Sequence, residues 1–397
     1  MPMEWIKELG FGLLWLFAQP IFYLAILFTF WTGYQRIKKD RKMFRHRVFP
    51  IGSEWNRTWL LGISFGIILS TSMIVSGSMF TIEWLWLWTA VVTISLLVHQ
   101  IWLLSPVYTV GVVAIIMWLI EQFNVQLPSL IEPAFQVDIV LVSYLLIALF
   151  LVEILLISTS KRDQSFPELQ KGNRGKYIGR HLVKRLLLVP AFIPVPSGAL
   201  ELSVFDWWPA FGLGDQFGLV LFPFLIGYSQ RFQGQFTDVG TRKTAIALTG
   251  LFIVLLASAY VVYLYEEMSI YLIGLAMIGR ATVHYLLRFI DREKSTIFTP
   301  KQNGIIIVGV IPGSPADEMG LVVGEVIEKI HDQSVTNEQE FYEVMSDHRT
   351  FCKMAVRDLT GEVRFVQRAL YEGEYHELGL IFVKETPRFT LKNEEIS

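Results

Sequence analysis

Residues 304–330 read GIIIVGVIPGSPADEMGLVVGEVIEKI, and they decide what kind of domain ends this chain. The β-branched run 304–310 lies between two Gly-containing turns, so it predicts a buried strand. A short helix should follow, because Ser314-Pro315 suits the N-cap and first helical position and Gly320 suits a left-handed stop. A second strand is predicted over 326–330, after the Gly-Glu turn.

The residues further along complete a small α+β domain. We expect Thr336 or Asn337 to cap a helix over 338–347, and strands to follow at 351–357 and 362–369. The predicted organisation is a transmembrane domain over residues 1–290, a linker over 291–300, this domain over 301–386 and a tail over 387–397.

The order and spacing of these residues resemble the core signature of bacterial PDZ domains. The matching elements are Gly304-Ile305-Ile306-Ile307-Val308, Pro312-Gly313-Ser314-Pro315-Ala316, Gly320-Leu321, Gly324-Glu325-Val326-Ile327 and Val335. Met319 and Glu325 stand where small and Asp residues are more usual. The resemblance implies a module that binds extended peptides by adding a strand beside a groove.

The groove of such a module would involve residues near the end of the chain. Leu378, Gly379, Leu380 and Ile381 resemble the Leu-Gly-hydrophobic loop of the family, although they follow the core signature, which points to a permuted strand order. The resemblance places the helix side of the groove at Phe341, Tyr342 and Met345. Apolar residues at this spacing on a short helix also occur as plain core, so groove and core remain alternatives.

The region before residue 291 has the composition of a membrane protein. The chain is 53% hydrophobic and 14% aromatic, with a mean hydropathy of +0.45, which exceeds the range of ordinary soluble domains. Phe11–Trp31 has the length of one span and reads as a retained helix rather than a signal peptide. Further apolar segments are Trp59–Phe80, Trp84–Val98, Val107–Ile120, Ile139–Ser158, Leu186–Phe205, Phe217–Ser229, Thr244–Leu264 and Ser269–Ile290.

The span count depends on the segment from Leu186 to Ser229. It contains Pro190, Pro194, Pro196, Pro209 and Pro223, and each proline removes a helical N–H. We therefore interpret this segment as two kinked helical spans or a re-entrant pair. The fold class predicted is an α-helical polytopic domain of seven to nine spans, with nine preferred, followed by the PDZ domain.

The positions of Lys and Arg predict the orientation. Basic residues concentrate in loops 35–57, 161–185 and 231–243 and in the segment beginning at Arg288, and even numbers of apolar segments separate them. All four basic regions then face the cytoplasm. This places the PDZ domain in the cytoplasm and the N-terminus outside. Loop 36–47 could also attract anionic lipid, although fixing the topology is sufficient reason for its charge.

The search for catalytic chemistry finds no enzyme motif. His376-Glu377 lacks a second His four residues after the first, Ser76-Gly77-Ser78 lacks the leading Gly of an intramembrane serine protease, and Cys352 is the single cysteine. We predict a non-enzyme without metal or cofactor, with no small-molecule substrate and no nucleic-acid partner. Glu153, Glu201, Arg280, His284 and Arg288 lie in or near spans and suit a transporter, but structural roles are favoured.

The whole chain resembles the MinJ family of Gram-positive division-site proteins. Gln19-Pro20-Ile21-Phe22-Tyr23 in the first span, the basic loop Gly33 to Arg41, several spans and one C-terminal PDZ domain carry the resemblance. It implies a membrane scaffold that bridges DivIVA to MinD, restricts FtsZ ring assembly to midcell, touches other divisome proteins and collects at poles and septa. The rival interpretations are a transporter or channel with a regulatory PDZ domain and an adaptor for a membrane protease.

Overall fold

The computed structural model describes residues 2–129, 131–172, 177–201, 211, 216–301, 303–347, 351–371 and 378–383. The region before residue 294 is built mainly from apolar helices. They are α1 Pro2–Ala18, α2 Pro20–Phe44, α3 Trp59–Ser76, α4 Ile82–Leu97, α5 Pro106–Gln122, α6 Ile139–Ser158, α7 Thr237–Leu264 and α8 Ser269–Glu293.

Four of these helices are long and apolar enough to cross a membrane, namely α3, α6, α7 and α8. The pair α1 and α2 is bent by 44° where the two helices meet and supplies a fifth candidate if it forms one span. Helices α4 and α5 are apolar but shorter. A helical region with several apolar helices long enough to span a membrane is therefore confirmed, whereas the predicted count of seven to nine spans is not.

The predicted helical spans Leu186–Phe205 and Phe217–Ser229 are wrong, because this part of the chain forms a long β-hairpin. Strands β1 Ser165–Lys171, β2 Tyr177–Leu200 and β3 Phe217–Phe232 make an antiparallel sheet in that order. The end of the first predicted span and Pro209 lie outside the described residues. Strand β3 is buried on both faces for most of its length, so its sequence is continuously apolar and resembles a span.

Helix α3 covers the edge of β2 that β1 leaves unpaired. A Cβ atom added to Gly62 would lie 2.1 Å from the carbonyl oxygen of Leu188. A Cβ atom added to Gly66 would lie 2.1 Å from the carbonyl oxygen of Pro190. One turn further along α3, the Ser70 hydroxyl accepts a hydrogen bond of 2.7 Å from the Phe192 N–H. The two glycines let the helix approach the strand backbone, and the serine pairs a strand donor.

The prolines of the hairpin occupy positions whose N–H would point away from the partner strand. In an antiparallel ladder, the N–H and C=O of one residue point to the same side. The Pro194 carbonyl accepts from the Phe80 N–H at 3.0 Å, outside the hairpin, and the Pro190 carbonyl faces Gly66. Pro223 is the register partner of Pro190. These prolines remove donors that the hairpin itself could not pair.

The four basic regions meet at one end of the helical domain, which we call the basic end. Glu168 lies 3.6 Å from Lys39 Nζ, 2.9 Å from Arg180 Nε and 3.1 Å from Arg231 Nε, so it joins the first three basic loops. The fourth region is tied in by Asp291, which accepts from the Gln233 N–H at 2.8 Å. The hairpin leaves this end and returns to it, as two helical spans would. The number of crossings between successive basic regions therefore stays even.

The C-terminal domain contains the predicted strands and helices together with two further short strands, at 333–334 and 380–382. They are β4 Ile305–Val310, α9 Pro315–Glu318, β5 Val326–Ile330, β6 Gln333–Ser334, α10 Glu338–Asp347, β7 Phe351–Arg357, β8 Val363–Ala369 and β9 Leu380–Phe382, with the sheet order β8-β7-β5-β4-β9. Ser314 caps α9, Gly320 has a φ of 68°, and Asn337 rather than Thr336 accepts from the Glu340 N–H of α10. The predicted tail 387–397 lies outside the described residues.

The contact between α3 and β2 gives a first testable prediction. Gly66→Ala should lower the free energy of unfolding by about 1–3 kcal/mol, because the new methyl group meets a strand carbonyl that cannot move aside. Gly250→Ala, on the open face of α7 with nothing within 4 Å, is the matched control. It should be neutral or stabilising by up to about 1 kcal/mol. Unfolding in detergent measures both, and equal effects would contradict the role of Gly66.

Candidate protein-interaction site

Strand β9 is the last strand of the C-terminal sheet among the described residues. It pairs antiparallel with β4, with Leu380 opposite Val310, Ile381 opposite Gly309 and Phe382 opposite Ile307. The strand that ends the domain in sequence thus lies beside the strand that begins it, as the predicted permuted order requires. A terminal strand of this kind is the element to which an extended peptide adds.

The turn that leads into β9 is fixed by backbone hydrogen bonds. The Leu378 carbonyl accepts from the Ala316 N–H at 3.0 Å, and the Gly379 carbonyl accepts from the Ile311 N–H at 2.8 Å. Gly379 has a φ of 84°, and a Cβ there would lie 2.2 Å from the Ser314 hydroxyl. Glycine is therefore required at 379, and α9 holds the turn in place.

Most of the predicted groove residues come together between β9 and α10. Phe341, Met345, Leu378 and Leu380 belong to one buried cluster, and the Phe341 ring lies 4.9 Å from the Phe382 ring. Tyr342 packs against the same cluster but remains half-buried. The site is well packed in this structure, so a bound peptide would use the β9 backbone and the rim around Tyr342 rather than a deep apolar cleft.

Ile381 differs from the other predicted residues because it lies on the opposite face of the sheet. We call this the docked face, and it consists of Ile306, Val308, Val326, Ile381 and Val383. It packs against Phe44, Val48 and Phe298 at the basic end of the membrane domain. This contact was not predicted, although the continuous apolar run of β4 indicates burial on both faces.

The connection between the two domains is held in place. The Phe298 carbonyl accepts from the Gly179 N–H of β2 at 2.8 Å, and the Ile297 N–H donates to the Gln233 carbonyl at 3.1 Å. Phe298 is 1% exposed. The segment predicted as a linker is thus packed between the domains, and the C-terminal domain rests directly on the membrane domain.

Comparison with known proteins matches both parts of the chain. Residues 306–357 match the PDZ domain family. The cell division topological determinant MinJ of Bacillus subtilis strain 168 is 30% identical over 406 residues, covering 97% of each chain. The chain belongs to the MinJ family.

Two further relatives extend the match. The probable cell division topological determinants MinJ of Lacticaseibacillus paracasei and of Lacticaseibacillus casei strain BD-II are each 24% identical over 374 residues, covering 92% of this chain and 95% of theirs. The likeness to MinJ proteins therefore extends through the membrane region as well as the PDZ domain. None of these relatives carries the name of an enzyme.

Two of the ionisable residues noted in the membrane region, Glu153 and Arg280, form a buried ion pair. Arg280 of α8 donates to Glu153 Oε1 of α6 through Nε at 3.0 Å and Nη2 at 2.7 Å, and both side chains are at most 1% exposed. Ser105 donates to the other oxygen of Glu153. The pair joins α6 to α8 inside the core, which is a structural role.

The remaining charges noted in the sequence lie elsewhere. His284 stacks on Trp102 with 5.6 Å between the rings, and the exposed Glu201 accepts from Gln216 Nε2 at 2.7 Å. Arg288 lies one turn beyond His284, half-buried at the basic end. Among the described residues, no group of three or more His, Cys, Asp or Glu side chains is arranged to hold a metal ion.

The Glu153–Arg280 pair gives a second prediction. Glu153→Gln should lower the free energy of unfolding by about 3–5 kcal/mol, because it leaves Arg280 buried without a counter-charge. The double variant Glu153→Leu/Arg280→Met should recover most of that loss, since no charge remains to desolvate. Glu201→Gln, at an exposed position, should change little. Unfolding in detergent is the measurement, and a double variant no more stable than Glu153→Gln would contradict this account.

Proposed function

We propose that this chain is a membrane scaffold in division-site selection that bridges DivIVA to MinD and so restricts FtsZ ring assembly to midcell. The observation that carries the proposal is the match to a MinJ protein at 30% identity over 97% of both chains. A second support is the PDZ domain, since a PDZ domain is a protein-interaction module. Contacts with further divisome proteins belong to the same proposal.

The proposed scaffold is a multi-pass protein of the cell membrane with its PDZ domain in the cytoplasm and its N-terminus outside. The basic end supports this orientation, because Lys and Arg mark the cytoplasmic side and the PDZ domain docks there. Acidic residues are found at the helix ends and connections of the other side, among them Glu121, Glu266 and Glu267. The proposed enrichment at poles and septa follows from the proposed partners.

The proposed binding mode is addition of a peptide strand at β9. Leu378, Gly379, Leu380 and Ile381 would supply the turn and the strand edge, and α10 would supply the other wall through Phe341, Tyr342 and Met345. The hydrogen bonds that fix Gly379 favour this mode, because a rigid edge loses little entropy when a peptide binds. This role needs no catalysis, cofactor, nucleic acid or small-molecule substrate.

Localisation tests the scaffold function. The intact tagged protein should collect at poles and septa, and its deletion should give misplaced septa, minicells or filaments. A version truncated after Lys294 keeps the membrane helices but lacks the PDZ domain, so it should lose recruitment of partners that bind this domain. Fluorescence microscopy of both versions in dividing cells is the measurement. Normal division on deletion together with uniform membrane fluorescence would contradict the scaffold and favour a transporter.

A substitution on α10 tests the binding mode separately. Tyr342→Ala should reduce capture of DivIVA or MinD by the full chain by about tenfold, the effect of losing one contact residue at a binding site. Tyr342→Phe keeps the ring and should retain capture, and Glu343→Ala, at the exposed neighbouring position, is the matched control. Co-purification from detergent extracts measures capture. Unchanged capture by Tyr342→Ala, with the truncated chain inactive, would place the contact elsewhere on the PDZ domain.

A further inference from the structure

A polar cavity of about 270 Å³ lies at the basic end of the membrane domain. Its walls come from α2, from the turn 99–102, from α8 and from the ends of the strands of the hairpin sheet nearest the basic loops. It is separate from β9 and α10, so the proposed peptide site does not use it. Neither the fold of the PDZ domain nor its docking explains why this space is polar.

The walls of the cavity carry an excess of positive charge. Five basic side chains line it against two acidic ones, Asp40 and Glu168. The basic residues are Arg36, Lys39, Lys184, Arg231 and Arg288. Glu168 is shared among three cations, two of which line the cavity, so its charge cannot neutralise each of them. An anion in this cavity would meet a favourable electrostatic potential.

One of the two least exposed of these cations, Lys184, is destabilised by its surroundings. Lys184 is 13% exposed, and its Nζ lies 3.8 Å from Glu54, a carboxylate that also pairs with Arg36. Burial lowers the pKa of Lys184 to about 8, Glu54 partly opposes this effect, and the nearby Arg36 lowers it further. A bound anion would relieve this repulsion.

Buried polar atoms without partners also belong to residues of the cavity wall. Gln230 is 3% exposed, and its Oε1 accepts from the Tyr228 hydroxyl at 2.9 Å, while its Nε2 has no partner among the described residues. The same holds for Nε of Arg36 and Nδ1 of His284. Buried polar groups are normally hydrogen-bonded, and the Gln230 amide nitrogen and Arg36 Nε are donors, so these residues point to a ligand that accepts hydrogen bonds.

Arg288 has its charge uncompensated at the rim. The charged side chains that act on it, Arg292, Arg231 and Arg180, are all cations, and it lies one helical turn from His284. Exposed aromatic residues are next in sequence to wall residues on both helices, with Tyr34 before Gln35 on α2 at 64% exposure and Tyr285 after His284 on α8 at 58%. Aromatic residues of this kind are typical of the headgroup layer of a bilayer.

We propose that this cavity binds a phosphate group at the cytoplasmic boundary of the membrane. Lys39, Lys184, Arg231 and Arg288 would supply charge-assisted hydrogen bonds, and Gln230 would supply a neutral donor. Several converging donors suit phosphate because it presents more acceptor oxygens than a carboxylate. An anionic phospholipid headgroup and a soluble phosphate share this chemistry, and the experiment separates them.

The test compares two double variants of the full chain, purified in a neutral detergent. Lys39→Gln/Arg288→Gln removes two cavity cations that are not deeply buried, so the fold should be retained. Lys38→Gln/Arg292→Gln is the matched control, because it makes the same charge change at exposed positions on the same two helices, outside the cavity. Any loss specific to the first variant then reports on the cavity rather than on net charge.

Binding is followed as the rise in the thermal unfolding midpoint with ligand concentration, since a ligand of the folded state stabilises it. One arm adds phosphatidylglycerol, with phosphatidylcholine as its reference. The other arm adds inorganic phosphate, with chloride at equal ionic strength as its reference. Stabilisation by phosphatidylglycerol alone assigns a lipid headgroup, and stabilisation by inorganic phosphate assigns the phosphate group itself.

The expected result is saturable stabilisation of the parent chain by at least one probe. The apparent affinity should be weaker by about tenfold in Lys39→Gln/Arg288→Gln, because two charged contacts are lost, and unchanged in the control. Equal weakening in the two double variants would overturn the proposal, because it would reflect net charge alone. Absence of saturable stabilisation of the parent chain by either probe would overturn it as well.

Discussion

The structure depends on one constraint, which is that the backbone N–H and C=O groups of a β-hairpin inside an apolar domain must be paired. An unpaired backbone group in such surroundings costs several kcal/mol, and open sheet edges do not persist against lipid. Helix α3 meets this constraint along β2, where Gly62 and Gly66 allow the helix to reach the strand and Ser70 accepts from the Phe192 N–H. On the other side, Gly12 of α1 lies against the Leu219 carbonyl of β3. The helices are therefore arranged around the hairpin, and Trp88 of α4 packs between Phe222 and Phe224 of β3.

The same constraint explains why the hairpin was not predicted. A strand buried on both faces shows no alternation of apolar and polar residues, and hydropathy alone cannot distinguish it from a helical span. The prolines carry the signal that hydropathy lacks, because the positions of Pro190, Pro194 and Pro196 differ by even numbers, so in a strand their nitrogen atoms point to the same edge. In a helix they would interrupt the hydrogen bonds of successive turns. The proposed orientation is the same with a hairpin as with two helical spans, since both return to the side from which they came.

The C-terminal domain was predictable because its determinants are local. Ser314, Gly320 and Asn337 act on residues within a few positions of themselves, and each occupies the cap or turn that its chemistry favours. The contacts between distant parts of the chain were not predictable. Glu325 stands where Asp is more usual. Its buried carboxylate accepts hydrogen bonds of 2.9 and 3.0 Å from Arg364, which lies 39 positions further along the chain. Likewise, nothing in the sequence near Ile381 indicates that it meets Phe44 and Val48 of the membrane domain.

The docking of the PDZ domain follows from how the basic end is built. In the proposed orientation Lys and Arg are required at this end, which must also present an apolar surface for the docked face. Both requirements are met because the carboxylates of Glu168 and Asp291 tie the basic loops together, which leaves Phe44, Val48 and Phe298 free to pack beneath the sheet. The connecting segment is held by β2 through Gly179, so the hairpin also supports the PDZ domain. A domain held in this way presents β9 in a fixed position relative to the helical domain, and the proposed scaffold would gain from such a fixed geometry, because less entropy is lost on binding.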